Sequence, residues 1–299
     1  MRITNNIIRE NALTNMRRSL QQIEVSQRRV STGLKLTRAS DDPADAATAM
    51  TSRASLRALD QYRGGIQLSN TRATAEEGIL NQITDVLSRV KTIGLAQVSG
   101  TADATTRAAS KMEVEGLMKH VVGLANTTVA GTYLFGGNVG TTKPFDLDDT
   151  GPTLGFTTTS PTGDPEVEIS NQQWISSSHN GSTVFGTQTS GVLRDLREMI
   201  SALEAADADA ISAVMGDLDD SIDHVQDLLI ESGVRLNQLE MTESNLDAVE
   251  MHLTTLKSDL EEVDVEEAVT ELVSRQTAYQ AAMLATSRVM GLTLTDYLR

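Results

Sequence analysis

The stretch LDAVEMHLTTLKSDLEEV, residues 246–263, places Leu246, Val249, Leu253, Leu256, Leu260 and Val263 at alternating steps of three and four. That is the period of a helix with one narrow apolar seam, the pattern of a coiled coil. Upstream, Ile222, Val225, Leu229, Leu236 and Leu239 carry the helical pattern back. Val192, Leu193, Leu196, Ile200 and Leu203 mark a helix before that. Downstream, Asp264 with Glu267 three residues on reads as a capping signature. A last helix then runs through Val269, Leu272, Tyr279, Met283, Met290 and Leu294.

The other end of the chain has the same character. Leu13, Met16, Leu20 and Ile23 keep the three–four step; Gln27 interrupts it before Val30 and Leu34, and Ile3, Ile7 and Ile8 extend the apolar face toward the terminus. Gly33 is the expected stop. In Ser40-Asp41-Asp42-Pro43-Ala44-Asp45, Asp42 fits an N-cap, Pro43 the first helical position and Asp45 the positive end of the dipole. A long helix should follow with a seam at Ile79, Ile83, Val86, Val90 and Ile93, bent or broken at Gly64-Gly65. Uninterrupted from Pro43 to Val98, it would span roughly 80 Å. Beyond Ser99-Gly100 another helix reads through Val114, Leu117, Val121 and Leu124.

Residues 131–190 differ. Pro144, Pro152, Pro161 and Pro165, four of the five prolines, fall here with the single Trp174. Runs such as Gly155–Thr159 and Val167–Ile169 read as strands between turns, with Phe145, Leu147, Phe156, Trp174 and Phe185 as a minor core. The chain is therefore expected to be mainly α, an elongated helical bundle formed by N- and C-terminal segments around a small β-rich insert. Its expected parts are an N-terminal coiled-coil segment (1–42), two rod halves (43–130 and 191–263) flanking the insert (131–190), and a C-terminal coiled-coil segment (264–299).

Composition agrees with a bundle: apolar residues are 39% of the 299, yet aromatics only 3%, which suits narrow Leu, Ile, Val, Met and Ala seams. A net charge of −16 argues against nucleic acid, whose phosphates need a basic face. Charge is unevenly placed. Residues 1–40 hold eight Arg or Lys against two Glu, whereas residues 215–271 hold seventeen Asp or Glu against Arg235 and Lys257. The two stretches either remain solvated or meet, within one subunit or between neighbours. There is no cysteine, which excludes disulfides and thiol chemistry. No apolar run fits a signal peptide or a membrane span.

No active site is legible. His120, His179, His224 and His252 are scattered without the paired spacing of a metal site, and surface or capping roles are expected for them. Gly136 to Lys143 resembles a phosphate loop, but Thr142 precedes the lysine and Pro144 follows it, so magnesium would have no hydroxyl. Adjacent carboxylates such as Asp219-Asp220 point apart on a helix and share no proton. No enzyme activity and no cofactor is expected.

Several motifs together resemble the flagellin family. Ser31-Thr32-Gly33-Leu34-Lys35-Leu36 followed by Ala39-Ser40-Asp41-Asp42-Pro43-Ala44-Asp45-Ala46 is similar to the stretch after the first helix of flagellins. The Asp41-Asp42-Pro43 version is more like the hook-associated junction branch (the FlgL type). Gly131-Thr132-Tyr133-Leu134-Phe135-Gly136-Gly137 resembles that branch's exit into its insert. Gly233 to Glu240, with Arg235 and Asn237, resembles the shared C-terminal arm, and Gln276 to Leu298 the terminal helix. The resemblance covers residues 1–140 and 190–299, not the insert.

It implies a secreted structural subunit at the hook–filament junction, exported unfolded through the flagellar type III apparatus with a cytosolic chaperone. It also implies terminal helices that order on assembly, with flagellin, the hook-side junction protein and copies of itself in a ring as partners. Ile7, Leu13, Met16, Leu20, Ile23 and Val30, with Leu272, Tyr279, Met283, Met290 and Leu294, become the expected self-assembly residues. Asp41-Asp42-Pro43 and Tyr133 to Gly137 disfavour the alternative of filament flagellin. A cytoplasmic helical scaffold would leave the insert and the matching ends unexplained.

Overall fold

A computed structural model describes residues 2–98, 103–150 and 153–297. Seven helices and six short strands follow in chain order within them: α1 (Arg2–Thr32), α2 (Pro43–Val98), α3 (Ala104–Ala125), β1 (Thr128–Val129), β2 (Thr132–Tyr133), β3 (Phe145–Asp148), β4 (Gly155–Thr158), β5 (Glu166–Ser170), β6 (Gln173–Ser176), α4 (Gly181–Phe185), α5 (Val192–Ala205), α6 (Ala208–Glu261) and α7 (Val265–Tyr297). The chain is mainly helical with a small strand-containing insert in its middle. The break expected at Ser99-Gly100 lies outside the described residues.

Two compact units divide the chain. The terminal unit joins residues 1–58 to 248–299, and the central unit is residues 59–247. Fourteen basic and fourteen acidic residues fall in the terminal unit. The central unit holds 11 basic against 27 acidic, so the whole net charge of −16 lies there.

In the central unit α2 and α6 run antiparallel, joined by Arg63–Asp247 at 2.5 Å and by a Lys91–Asp219 pair. Their apolar seams, Ile79, Ile83, Leu87 and Val90 on one and Val214, Leu218, Val225 and Leu228 on the other, are buried. So are Val114, Met118 and Val121 of α3 and Leu193, Leu196, Ile200 and Leu203 of α5. At ~25 cal/mol per Å² of apolar surface, these contacts dominate the unit's stability.

Helix α2 does not break at Gly64-Gly65. Strand β5 lies against it there, and a Cβ on Gly65 would stand 2.7 Å from Val167 Cγ1. The glycine admits the insert and leaves the helix intact.

The insert is three antiparallel two-stranded hairpins, β1–β2, β3–β4 and β5–β6. Asn126, just past α3, pins the second: its Nδ2 donates to Phe145 O at 2.8 Å and its Oδ1 accepts from Phe145 N at 3.2 Å. Phe145, Phe156 and Phe185 are buried as expected, but they join the main helical core and form no separate one. Leu147, two residues beyond the pinned end, and Trp174 are 39% and 58% exposed. A two-stranded hairpin has no second layer to cover such residues.

Candidate assembly surface

In the terminal unit α1 ends where expected, with Gly33 at φ +69° and its N–H donating to Arg29 O at 2.9 Å. A side chain there would be strained. Two adjacent aspartates then hold the turn into α2. Asp41 Oδ2 accepts from Thr37 N, Thr37 Oγ1 and Arg38 N at 3.2, 3.0 and 2.9 Å, and the Thr37 hydroxyl, foremost of these donors, holds its carboxyl below the ordinary value. Asp42 Oδ1 accepts from Ala44 N and Asp45 N at 3.0 and 3.1 Å. That is an N-cap with Pro43 at the first helical position. Lys35 N donates to Glu261 O and Val263 N to Gly33 O, a short antiparallel bridge. Arg53 Nη2 meets the buried Glu261 carboxylate at 2.7 Å.

Helices α1 and α7 pair antiparallel, with Leu34 bridged to Glu262 and Arg275 Nη1 donating to Gln22 O at 3.1 Å. The side of α1 turned inward carries Ala12, Met16, Ser19, Ile23, Ser26 and Val30; on α7 it carries Ala268, Leu272, Arg275, Tyr279, Ala282 and Thr286. Both sets keep the three–four step. Met16, Ile23, Val30, Leu272 and Tyr279 therefore lie in the intramolecular seam, whose α1 side alternates large residues with Ala12, Ser19 and Ser26.

Leu13, Leu20 and Ile7 do not join them; they are 49%, 47% and 51% exposed. Met283, Val265, Val269 and Val273 are exposed on α7. The side chains of Met290 and Leu294 lie outside the described residues. At 100° per residue, Leu13 and Leu20 sit about 90° round α1 from its seam, and Val265, Val269, Val273 and Met283 about 90° round α7 in the same rotational sense. Because the helices are antiparallel, equal rotations bring both stripes to one side of the pair. That side exposes these apolar residues, interspersed with the polar Glu24, Gln27, Gln276 and Gln280.

The remaining motif residues lie in the central unit. Tyr133 N donates to Gly140 O at 2.8 Å, closing the turn that contains Gly136, whose Cβ would stand 3.0 Å from Gly140 Cα. Phe135 is buried edge-on against Phe185, centroids 5.0 Å apart. Asn237 is exposed on α6, whereas Arg235 is buried.

Arg235 Nη1 donates to Glu76 Oε2 at 2.9 Å, and Glu76 is wholly buried. Glu76 Oε1 accepts from His179 N at 3.0 Å and lies 2.7 Å from His179 Nδ1. His179 Nε2 faces Glu231 Oε2 at 3.0 Å. Arg72 Nη2 donates to Leu134 O and Ser178 Oγ at 2.9 and 3.0 Å. This cluster ties α2, α6 and both ends of the insert together. A surface or capping role is expected for His179 from its isolation in the sequence; it is instead buried against partners more than fifty residues away, which a lone histidine does not announce.

Burial opposes a charge on His179, but the bond to Glu76 and the charge of Glu76 outweigh it, and the pKa is raised above the ordinary 6.5. Arg235 opposes protonation and Glu231 favours it. A base raised by folding contributes stability that is full below the unfolded pKa and is lost as pH rises through the folded one. Urea unfolding of the full chain should therefore show declining stability as pH climbs above 6.5, and His179→Gln should flatten that decline. Equal slopes for the two proteins would refute the assignment.

Among the described residues no helix is long and apolar enough to cross a membrane, and no group of His, Asp or Glu is arranged to hold a metal ion.

The model of the bacterial flagellin N-terminal helical region matches residues 3–139, and that of the flagellin C-terminal helical region residues 215–298. Flagellar hook-associated protein 3 of Escherichia coli (strain K12) is 26% identical over 89% of each chain. A flagellin of Halalkalibacterium halodurans is 25% identical over 95% of each. The structure of a putative flagellar hook-associated protein from Vibrio parahaemolyticus superposes with a TM-score of 0.66 at 18% identity, covering 74% of this chain and 100% of that one. These relatives are structural flagellar proteins. Matched at both ends by the two helical regions, in the same order, the chain belongs to the flagellin family.

Proposed function

We propose that this chain is the junction subunit between the flagellar hook and filament, exported unfolded with a chaperone and assembled through its terminal helices. The ring of copies would seat on the hook-side junction protein and receive flagellin. The observation that carries the assembly reading is the side of the α1–α7 pair that exposes Leu13 and Leu20 with Val269, Val273 and Met283. Exposed apolar residues gathered on one side of a helix pair favour contact with other chains, and amphipathic helices of this length gain most of their stability by packing. The likeness to hook-associated protein 3 favours the junction over the filament.

Labelled antibody on intact flagella should mark only the hook–filament boundary, and deletion of the gene should leave hooks without filaments. Label along the whole filament would make the chain a flagellin instead. Leu20→Glu should keep its circular dichroism, because the side chain is half exposed already, yet incorporate at least about tenfold less, since a buried unpaired carboxylate opposes packing by more than 1.4 kcal/mol. Normal incorporation would remove this surface from the proposal.

A further inference from the structure

In the central unit a second pair of faces stands open. On α6, Asp220, Asp223, Asp227, Ile230, Val234 and Met241 fall within about 40° of one line along the helix. The last three are 65%, 52% and 74% exposed. The three aspartates are exposed and make no ion pair among the described residues. The stripe is thus acidic in its N-terminal half and mostly apolar in its C-terminal half, where the exposed Gln238 stands between Val234 and Met241. On α3, Thr105, Met112, Gly116, Lys119 and Gly123 form a comparable line. Met112 is 72% exposed, and the space beside Gly116 and Gly123 is empty. Lys119 is exposed and makes no ion pair among the described residues.

The geometry points to α3 of a second copy of this chain as the occupant of the α6 stripe, and this inference rests on the proposal that copies assemble in the flagellum. Laid antiparallel with Lys119 opposite Asp227, the two lines match along their length. Ile230 then falls on the gap at Gly116, Val234 beside Met112, and Met241 beside Thr105. A knob over a glycine lets helices approach closely, and a cation facing the acidic half fixes direction and register. The two faces differ and sit on one molecule, so each copy offers α6 to one neighbour and α3 to another. Such a head-to-tail contact propagates, closing into a ring or continuing as a helix.

The cysteine-free chain makes the contact directly testable. Met112→Cys with Val234→Cys, in the full-length protein expressed in place of the natural one, should give a ladder of dimers and higher multimers when isolated flagella are treated with a short bis-maleimide. Lys119→Glu or Asp227→Lys in that background should each reduce the ladder about fivefold, the effect of losing one exposed ion pair, and the two together should restore it. Protein present in the flagella but running only as monomer would overturn the contact and leave the proposed function standing. Cross-links to a chain of another size would assign the stripe to a different partner and overturn the inference. Absence of the protein from the flagellar fraction would sink the proposed function and this contact with it.

Discussion

Arg235→Leu should destabilise the central unit by about 3 kcal/mol or more, as expected when one member of a buried ion pair is removed. The reason lies less in the lost attraction than in what remains. Glu76 has no solvent exposure, so without the guanidinium its carboxylate keeps, among the described residues, only the His179 ring and backbone N–H in direct contact. The reference stability of such a domain is only about 5–15 kcal/mol, so the loss should appear as a large fall in the urea midpoint. Glu76→Gln combined with Arg235→Leu should recover part of it, because no charge is then stranded. A loss under about 1 kcal/mol for Arg235→Leu, or a double variant no better than the single one, would mean that the cluster is not energetically coupled.

Phe185→Ala should cost about 3–5 kcal/mol, the range for removing a large aromatic from a closed core. Phe185 is fully buried and meets Phe135 at 5.0 Å and Phe145 at 5.4 Å, both edge-on. The three rings come from the turn after β2, the start of β3 and the end of α4, so the cavity would loosen the joint where insert and helices meet. Trp174→Ala is the matched control: its ring is 58% exposed, and the change should stay within about 0.5 kcal/mol. Calorimetric scans of both variants decide it, and similar melting temperatures would count against the shared aromatic core.

The long helices were legible because each carries its own period; the short α4, inside the insert, was not. Gly33, Asp42 and Pro43 act through neighbours two to four residues away, which a linear reading can see. The insert's position was legible from its prolines and Trp174, but the fate of Leu147 and Trp174 was not, since burial depends on what else packs against a hairpin. Met16, Ile23 and Val30 of the expected α1 seam lie in it, but its alternate positions fall one residue earlier, at Ala12, Ser19 and Ser26 in place of Leu13, Leu20 and Gln27. Leu13 and Leu20 are apolar and remain exposed, whereas the pairing with α7 uses Ser19 and Ser26, which hydropathy alone passes over. His179, Glu76, Arg72 and Arg235 come together only through the antiparallel pairing of α2 and α6 and the return of the insert. No local spacing announces that.

The lopsided placement of charge has a consequence for any polymer of this chain. Neighbouring central units would each bring sixteen surplus anions to the crowd, while the neutral terminal units bring none. Repulsion between them is felt over roughly 10 Å at 0.1 M salt and about three times as far in fresh water. Cohesion must then come from greasy helix ends and a few placed cations such as Lys119, with dissolved counterions setting how closely neighbouring central units settle.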